Sequence, residues 1–179
     1  MKTQVKKSRR PVNRLMSVAD VAVTTRHSQL STLRLKTIVV PIDFSQPSNN
    51  ALRYAIRLAD QFGAVLRLVH VVEPAPFLND LPNVALIRSD AEIVKAAKVK
   101  LQAIAQDKID ELIPVYPEVR IGKPYQEIVA AAKVGDADLI VIATHGYTGL
   151  KHALLGSTTE RVVRHAHCPV LVVRQTKKE

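Results

Sequence analysis

From Thr37 onward, short apolar runs alternate with segments whose apolar positions fall three and four residues apart. Thr37-Ile38-Val39-Val40-Pro41-Ile42 predicts a first buried strand, stopped by Asp43. Ser45 is placed to cap a helix that carries Pro47 in its first turn. Ala51, Ala55, Leu58, Ala59 and Phe62 give that helix one apolar face, and Gly63 ends it. Val65–Val72 predicts a second strand, with Leu66, Leu68, His70 and Val72 on one face and Val65, Val69 and Val71 on the other. After a loop containing Pro74, Pro76 and Pro82, the spacing predicts a long helix from about Ser89 to Leu112. Its stripe is Val94, Ala97, Leu101, Ile104, Ala105, Ile109 and Leu112. Pro114 and Pro117 bracket the approach to a short third strand near Val119 and Ile121. Gly122 and Pro124 open another helix through Ile128, Val129 and Ala132, closed by Gly135. A strand over Asp138–Thr144, a helix from Ser157 to His165 and a last strand over Val170–Arg174 complete the series.

Five strands joined by helical crossovers specify an α/β fold, a single parallel sheet with helices on both faces. Ligands of such sheets bind beyond the carboxyl ends of the strands, where the winding reverses. Asp43 follows the first strand in that position, and Ala143-Thr144-His145-Gly146 follows the fourth. If strands one and four are neighbours, both features face one crevice. Periodicity alone does not establish that adjacency.

Composition agrees with a sheet-centred core. Of 179 residues 47% are hydrophobic but only 4% aromatic, with no Trp, so Val, Ile, Leu and Ala must fill the interior. The single cysteine, Cys168, excludes an intrachain disulfide and suits a reducing, cytoplasmic setting. No run approaches 18 uninterrupted apolar residues, so no transmembrane helix is expected.

The formal net charge of +10 suggests nucleic acid until it is located. Residues 1–36 carry nine Lys/Arg against the single acid Asp20, a net +8, which leaves only +2 for the rest. Basic charge is therefore a property of the N-terminal segment, and no specific nucleic-acid partner is expected for the domain. That segment, 1–35, reads as a basic disordered extension ahead of a domain spanning 36–174, with 175–179 a short C-terminal tail. A transit-like peptide and a true start at Met16 are the other readings of it.

The candidate chemistry lies in Ala143–Gly146 and, after nine residues, Gly156-Ser157-Thr158-Thr159-Glu160. A strand, a glycine-bearing loop and a helix start can together hold an anion, phosphate above all. The plainer alternative is that Gly146, Gly149 and Gly156 only make turns while Ser157 caps the helix, with Glu160 folding back in a capping box. His165-Ala166-His167-Cys168 carries good zinc donors, but alternate residues at a helix-to-strand junction converge poorly, and no metal site is expected there. Neither a Walker-A motif nor GxGxxG after a strand is present, and no nucleophile elbow surrounds Ser45. No general base for ATP hydrolysis is evident, so at most slow turnover is expected.

Together Pro41-Ile42-Asp43-Phe44-Ser45, His70-Val71-Val72, Ala143–Gly146, Gly156-Ser157 and Pro169-Val170-Leu171-Val172-Val173 resemble the universal stress protein family over about residues 36–174. The resemblance implies an open five-stranded parallel sheet in the order 3-2-1-4-5, of the adenine-nucleotide alpha-hydrolase-like type, with the switch point between strands one and four. Nucleotide-binding members carry Gly-x2-Gly-x9-Gly-Ser/Thr, matched here by Gly146, Gly156 and Ser157, with Ala143 departing at the first glycine. By position, Asp43 would bind the ribose hydroxyls with Pro41 and Ile42 beside it, and Val71 would meet adenine through its backbone. Ala143, His145, Gly146, Gly156, Ser157 and Thr158 would surround the phosphates of ATP, with Mg²⁺ accompanying them. The resemblance further implies a homodimer through Val170–Val173 and protein partners that the sequence does not name. A dimeric member that binds no nucleotide is the alternative function, and Ala143 is the residue that separates the two.

Overall fold

The computed structural model describes residues 33–74, 90–144 and 155–174, all but Leu33 within the unit Arg34–Glu179. Its elements run β1 (Thr37–Pro41), α1 (Gln46–Phe62), β2 (Val65–Val72), α2 (Asp90–Lys108), β3 (Val115–Ile121), α3 (Pro124–Val134), β4 (Leu139–Ala143), α4 (Ser157–His165) and β5 (Val170–Val173). The five strands form one sheet in the order β3-β2-β1-β4-β5, and every neighbouring pair is parallel. The switch in winding therefore falls between β1 and β4.

Alternation along the central strands builds two cores from one sheet. Ile38 and Val40 of β1, Leu66 and Leu68 of β2, and Leu139 and Val141 of β4 pack with Ala51, Leu52 and Ala55 of α1 and Leu101 of α2. Their neighbours Val39, Val69, Ile140 and Ile142 pack instead with Ile128, Ala131 and Ala132 of α3 and Val162 of α4. Both faces of β1 and β4 are thereby buried, which explains why these strands read as unbroken apolar runs. The alanines of α1 let that helix sit close to the sheet. Ser45 caps it, accepting from the Ser48 amide, and Gly63 closes it in the left-handed conformation at φ 65°.

Several boundaries differ from the periodicity: β1 stops at Pro41 and not Ile42, and β4 spans Leu139–Ala143 and not Asp138–Thr144. The long helix stops at Lys108, not Leu112, because a turn follows in which Asp110 Oδ1 accepts the Leu112 amide and the Asp110 carbonyl accepts that of Ile113. This turn buries Ile109 and Ile113 and leaves Leu112 90% exposed, so Leu112 is no part of the apolar stripe. Ser89 lies outside the described residues. The third strand begins at Val115 and includes Pro117, which is tolerated because β3 is an edge strand bonded only to β2. The last strand ends at Val173.

Ion pairs tie β2, β3 and α3 together. Arg67 and Arg120 both pair with Glu118, and Arg120 also pairs with Glu127 in the first turn of α3. Burial pushes the Glu118 carboxyl up, but hydrogen bonds and charges from the two guanidinium groups outweigh it and hold the group below its usual range. Arg67 passes so close to Gly135 that a Cβ there would lie 2.8 Å from its Cδ, which accounts for a glycine where α3 ends. Among the described residues no helix is long and apolar enough to cross a membrane.

Candidate functional site

Strands β1 and β4 are paired in register only at Ile38↔Leu139 and Val39↔Ile140, although both strands continue further. Beyond that pairing, at the carboxyl ends, a cleft of about 310 Å³ opens. Pro41, Ile42 and Asp43 line it from the end of β1, and Val69, His70, Val71 and Glu73 from β2 and its end. Pro124 and Ile128 of α3 stand on the same side as β2, while Ala143, Gly156, Ser157 and Thr158 form the wall beyond β4. The structure thus brings eight of the ten residues expected from sequence to one cleft. His145 and Gly146, with Lys151 nearby in sequence, lie outside the described residues.

Asp43 sits at a backbone corner. Its Oδ1 accepts the Ser45 amide at 3.0 Å and the Ser45 hydroxyl at 2.5 Å, and Ser45 Oγ in turn accepts the Ser48 amide. These bonds orient the carboxylate through the same serine that starts α1. Between them Phe44 adopts φ 64°, a left-handed conformation rare for a bulky L-residue. His70 Nδ1 lies 2.7 Å from the Ile42 carbonyl, and the His70 and Phe44 ring centroids are 4.3 Å apart.

Across the cleft the start of α4 corrects the sequence reading. Gly156, not Ser157, occupies the cap position, with φ −67° and ψ 147°, and among the described residues no side chain caps the helix. The Glu160 carboxylate does not turn back; it pairs with Arg164 one turn further on, at 2.8 Å. A cap shifted by one residue makes Ser157 the first helical residue, within the lining of the cleft. The Glu160 amide makes the first helical bond, to the Gly156 carbonyl, so the amides of Ser157, Thr158 and Thr159 precede it. Thr159 turns its hydroxyl inward to the Ala143 carbonyl at 2.8 Å, locking α4 to the end of β4.

Ala143 is the last residue of β4 and pairs with Val173 of β5. Among described non-glycine residues positive φ occurs only at Phe44 and Asp136, so no left-handed backbone at Ala143 demands glycine. Its methyl belongs to the core shared with α1. Ala143→Gly is expected to cost about 1–2 kcal/mol, from a lost buried methyl and added chain entropy. Ligand affinity should change less than about twofold (under 0.5 kcal/mol), as urea unfolding and titration calorimetry on one preparation would show.

Sequence reasoning missed Ser48, Val69, Glu73, Pro124, Ile128, Ile142 and Thr159 as lining residues, and placed His70 on a strand face without giving it a part in the site. A usable signal existed for two of them, because Glu73 follows the carboxyl end of β2 and Pro124 opens the helix after β3. At the opposite end of α4, His165 Nδ1 engages the Arg161 carbonyl and its ring lies 5.7 Å from that of Tyr125. Burial, chiefly, pushes the Cys168 thiol up and keeps it protonated.

The family model described as the universal stress protein family matches residues 34–174. The chain belongs to that family. A universal stress protein of Methanocaldococcus jannaschii is 39% identical over 145 residues, covering 80% of this chain and 85% of the relative. A second one from the same organism is 30% identical over 154 residues, covering 78% of this chain and 95% of its own. The solved structure of that second protein superposes with a TM-score of 0.68, over 82% of this chain and all of the other. A universal stress protein solved in complex with cAMP shares the fold at a TM-score of 0.59 and 22% identity, over 80% of this chain and all of its own.

Proposed function

We propose that this universal stress protein domain is a cytoplasmic regulatory module that binds ATP in the cleft between Asp43 and the start of α4. The observation that carries this reading is the helix start, whose first amides precede any helical bond and, among the described residues, have no side-chain cap beside a cleft. Such a terminus favours an anion through its amides and its dipole. Opposite it, Val71, Pro124 and Ile128 offer an apolar wall suited to a flat base, and Asp43 lies between the two ends. Asp43, beside Pro41 and Ile42, accepts from the ribose hydroxyls. Gly156, Ser157, Thr158 and Ala143, together with His145 and Gly146, surround the phosphates. The described lining contains Asp43 and Glu73 but no Lys or Arg, so Mg²⁺ accompanies the triphosphate to offset its charge. The structure solved with cAMP supports the capacity of this fold for an adenine nucleotide, as a property of that protein.

Binding, with at most slow turnover, is proposed because the sequence carries no motif that supplies a general base for ATP hydrolysis. Self-association through β5 is part of the same proposal: β5 is an edge of the sheet, with Leu171 exposed. The test is to denature the purified protein, resolve the released small molecules by ion exchange, and titrate the nucleotide-free protein with ATP. Binding in the micromolar range, about −8 kcal/mol, is expected, with Asp43→Ala about tenfold weaker. Absence of both released nucleotide and binding heat at millimolar ATP would replace this reading with that of a nucleotide-free dimer.

A further inference from the structure

We propose that His70 is a positioning residue for Asp43, holding the corner on which that carboxylate stands; the ligand-related part rests on the ribose role given to Asp43 above. The two residues that flank Asp43 are both held by this one side chain. On the preceding side, His70 Nδ1 lies 2.7 Å from the Ile42 carbonyl, and a carbonyl can only accept, so the imidazole carries its proton on Nδ1. On the following side, the imidazole stacks on Phe44 with centroids 4.3 Å apart and planes inclined by 38°. Ile42 also donates its amide to the Val69 carbonyl at 2.8 Å, so both backbone polar groups of Ile42 are fixed to β2.

The clamp has a physical purpose at this point in the chain. Phe44 is held at φ 64°, where its Cβ crowds the backbone, and such a conformation persists only when its surroundings over-determine it. The ring contact with His70 supplies part of that determination, with Lys100 Nζ over the Phe44 ring 5.7 Å from its centroid. Ser45 bonds Asp43 from the following chain and sets the rotation of the carboxylate, but those bonds move with the turn. His70 belongs to β2, so its grip refers the turn to the sheet. A carboxylate that must meet two ribose hydroxyls at once needs that fixed reference.

Two measurements test the assignment on the full chain, in the wild type and in His70→Asn, His70→Phe and His70→Ala. The first is amide hydrogen exchange at Ser45 without ligand, because that amide is bonded to Asp43 Oδ1. His70→Ala is expected to speed exchange at Ser45 at least tenfold while core amides of β1 and β4 keep their protection. His70→Asn retains a donor for Ile42, and His70→Phe retains a ring for Phe44, so each should recover part of the loss. Unchanged exchange at Ser45 in His70→Ala, or an equal rise at every amide, would overturn the proposal and leave His70 a packing residue. The second is the ratio of Kd for 2′,3′-dideoxy-ATP to Kd for ATP, which reads the ribose hydroxyl contact alone. That ratio should fall at least fivefold in His70→Ala, with affinity for the dideoxy ligand changed less than threefold. Equal loss for both ligands would also overturn the role toward Asp43. A wild type that binds neither nucleotide would end the ATP reading, and exchange at Ser45 would still decide for or against the clamp.

Discussion

Replacing Gly156 by aspartate should weaken ATP binding at least about 100-fold while leaving the fold as stable as before or slightly more so. Gly156 caps α4 with φ −67° and ψ 147°, angles that any L-residue adopts, and among the described residues no side-chain cap bond is made at the helix start. Aspartate at a cap position accepts a hydrogen bond from the second or third helical amide, here Thr158 or Thr159. It also places a negative charge at the positive end of the helix dipole. The expected gain is a few tenths to about 1 kcal/mol, or a rise of a few degrees in Tm. The same carboxylate occupies the amides assigned to the phosphates and repels them. ATP affinity should fall at least about 100-fold, equivalent to roughly 2.7 kcal/mol. Opposite signs in thermal unfolding and calorimetry make this variant more diagnostic than a bulky one, which weakens binding by misfolding as readily as by blocking. Undiminished ATP affinity would remove the helix start from the site. A clear drop in Tm would refute the uncapped geometry.

Asp138→Ala should destabilise the domain by about 2–3 kcal/mol without touching the cleft. Asp138 lies immediately before β4, yet its Oδ2 accepts the Lys36 amide at 2.7 Å and the Thr37 amide at 3.0 Å, at the start of β1. Its own amide donates to the Thr37 carbonyl at 2.9 Å. Because β1 and β4 share only two register pairs, this side chain closes the base of the crevice whose mouth forms the site. Two bonds to a charged acceptor are lost in the alanine variant, and the Thr37 amide is partly buried. Asp138→Asn keeps an acceptor oxygen and should recover about half of the loss (~1 kcal/mol). Urea unfolding decides the matter, and a difference below about 0.5 kcal/mol, no more than an ordinary surface substitution, would show that the clamp contributes little.

The limits of reading by periodicity are visible at particular residues. Leu112 lies on the apolar stripe by spacing but faces solvent, because a turn organised by Asp110 ends the helix first. Ser157-x-x-Glu160 has the spacing of a capping box, yet Glu160 pairs with Arg164 and Gly156 takes the cap. In both cases a local signal competed with an interaction of similar strength a few residues away, and spacing does not rank the two. Ala143 shows the reverse. Its departure from glycine separates the two functional readings in one dimension, while its extended backbone shows no conformational need for glycine there.

By itself the sequence determined the number and kinds of elements, the parallel sheet with two covered faces, and the strand ends where a ligand would bind. These follow from burial periods and from glycine and proline chemistry, which act over a few residues. Tertiary structure decided what depends on contacts between distant segments. It set β1 beside β4, with Asp138 bonded to amides 101 and 102 residues away. It brought His70 against both neighbours of Asp43. It placed the α4 start across the cleft from Asp43. No local pattern encodes such pairings, because they form only when the two cores close on the sheet and fix strands from separate parts of the chain at bonding distance.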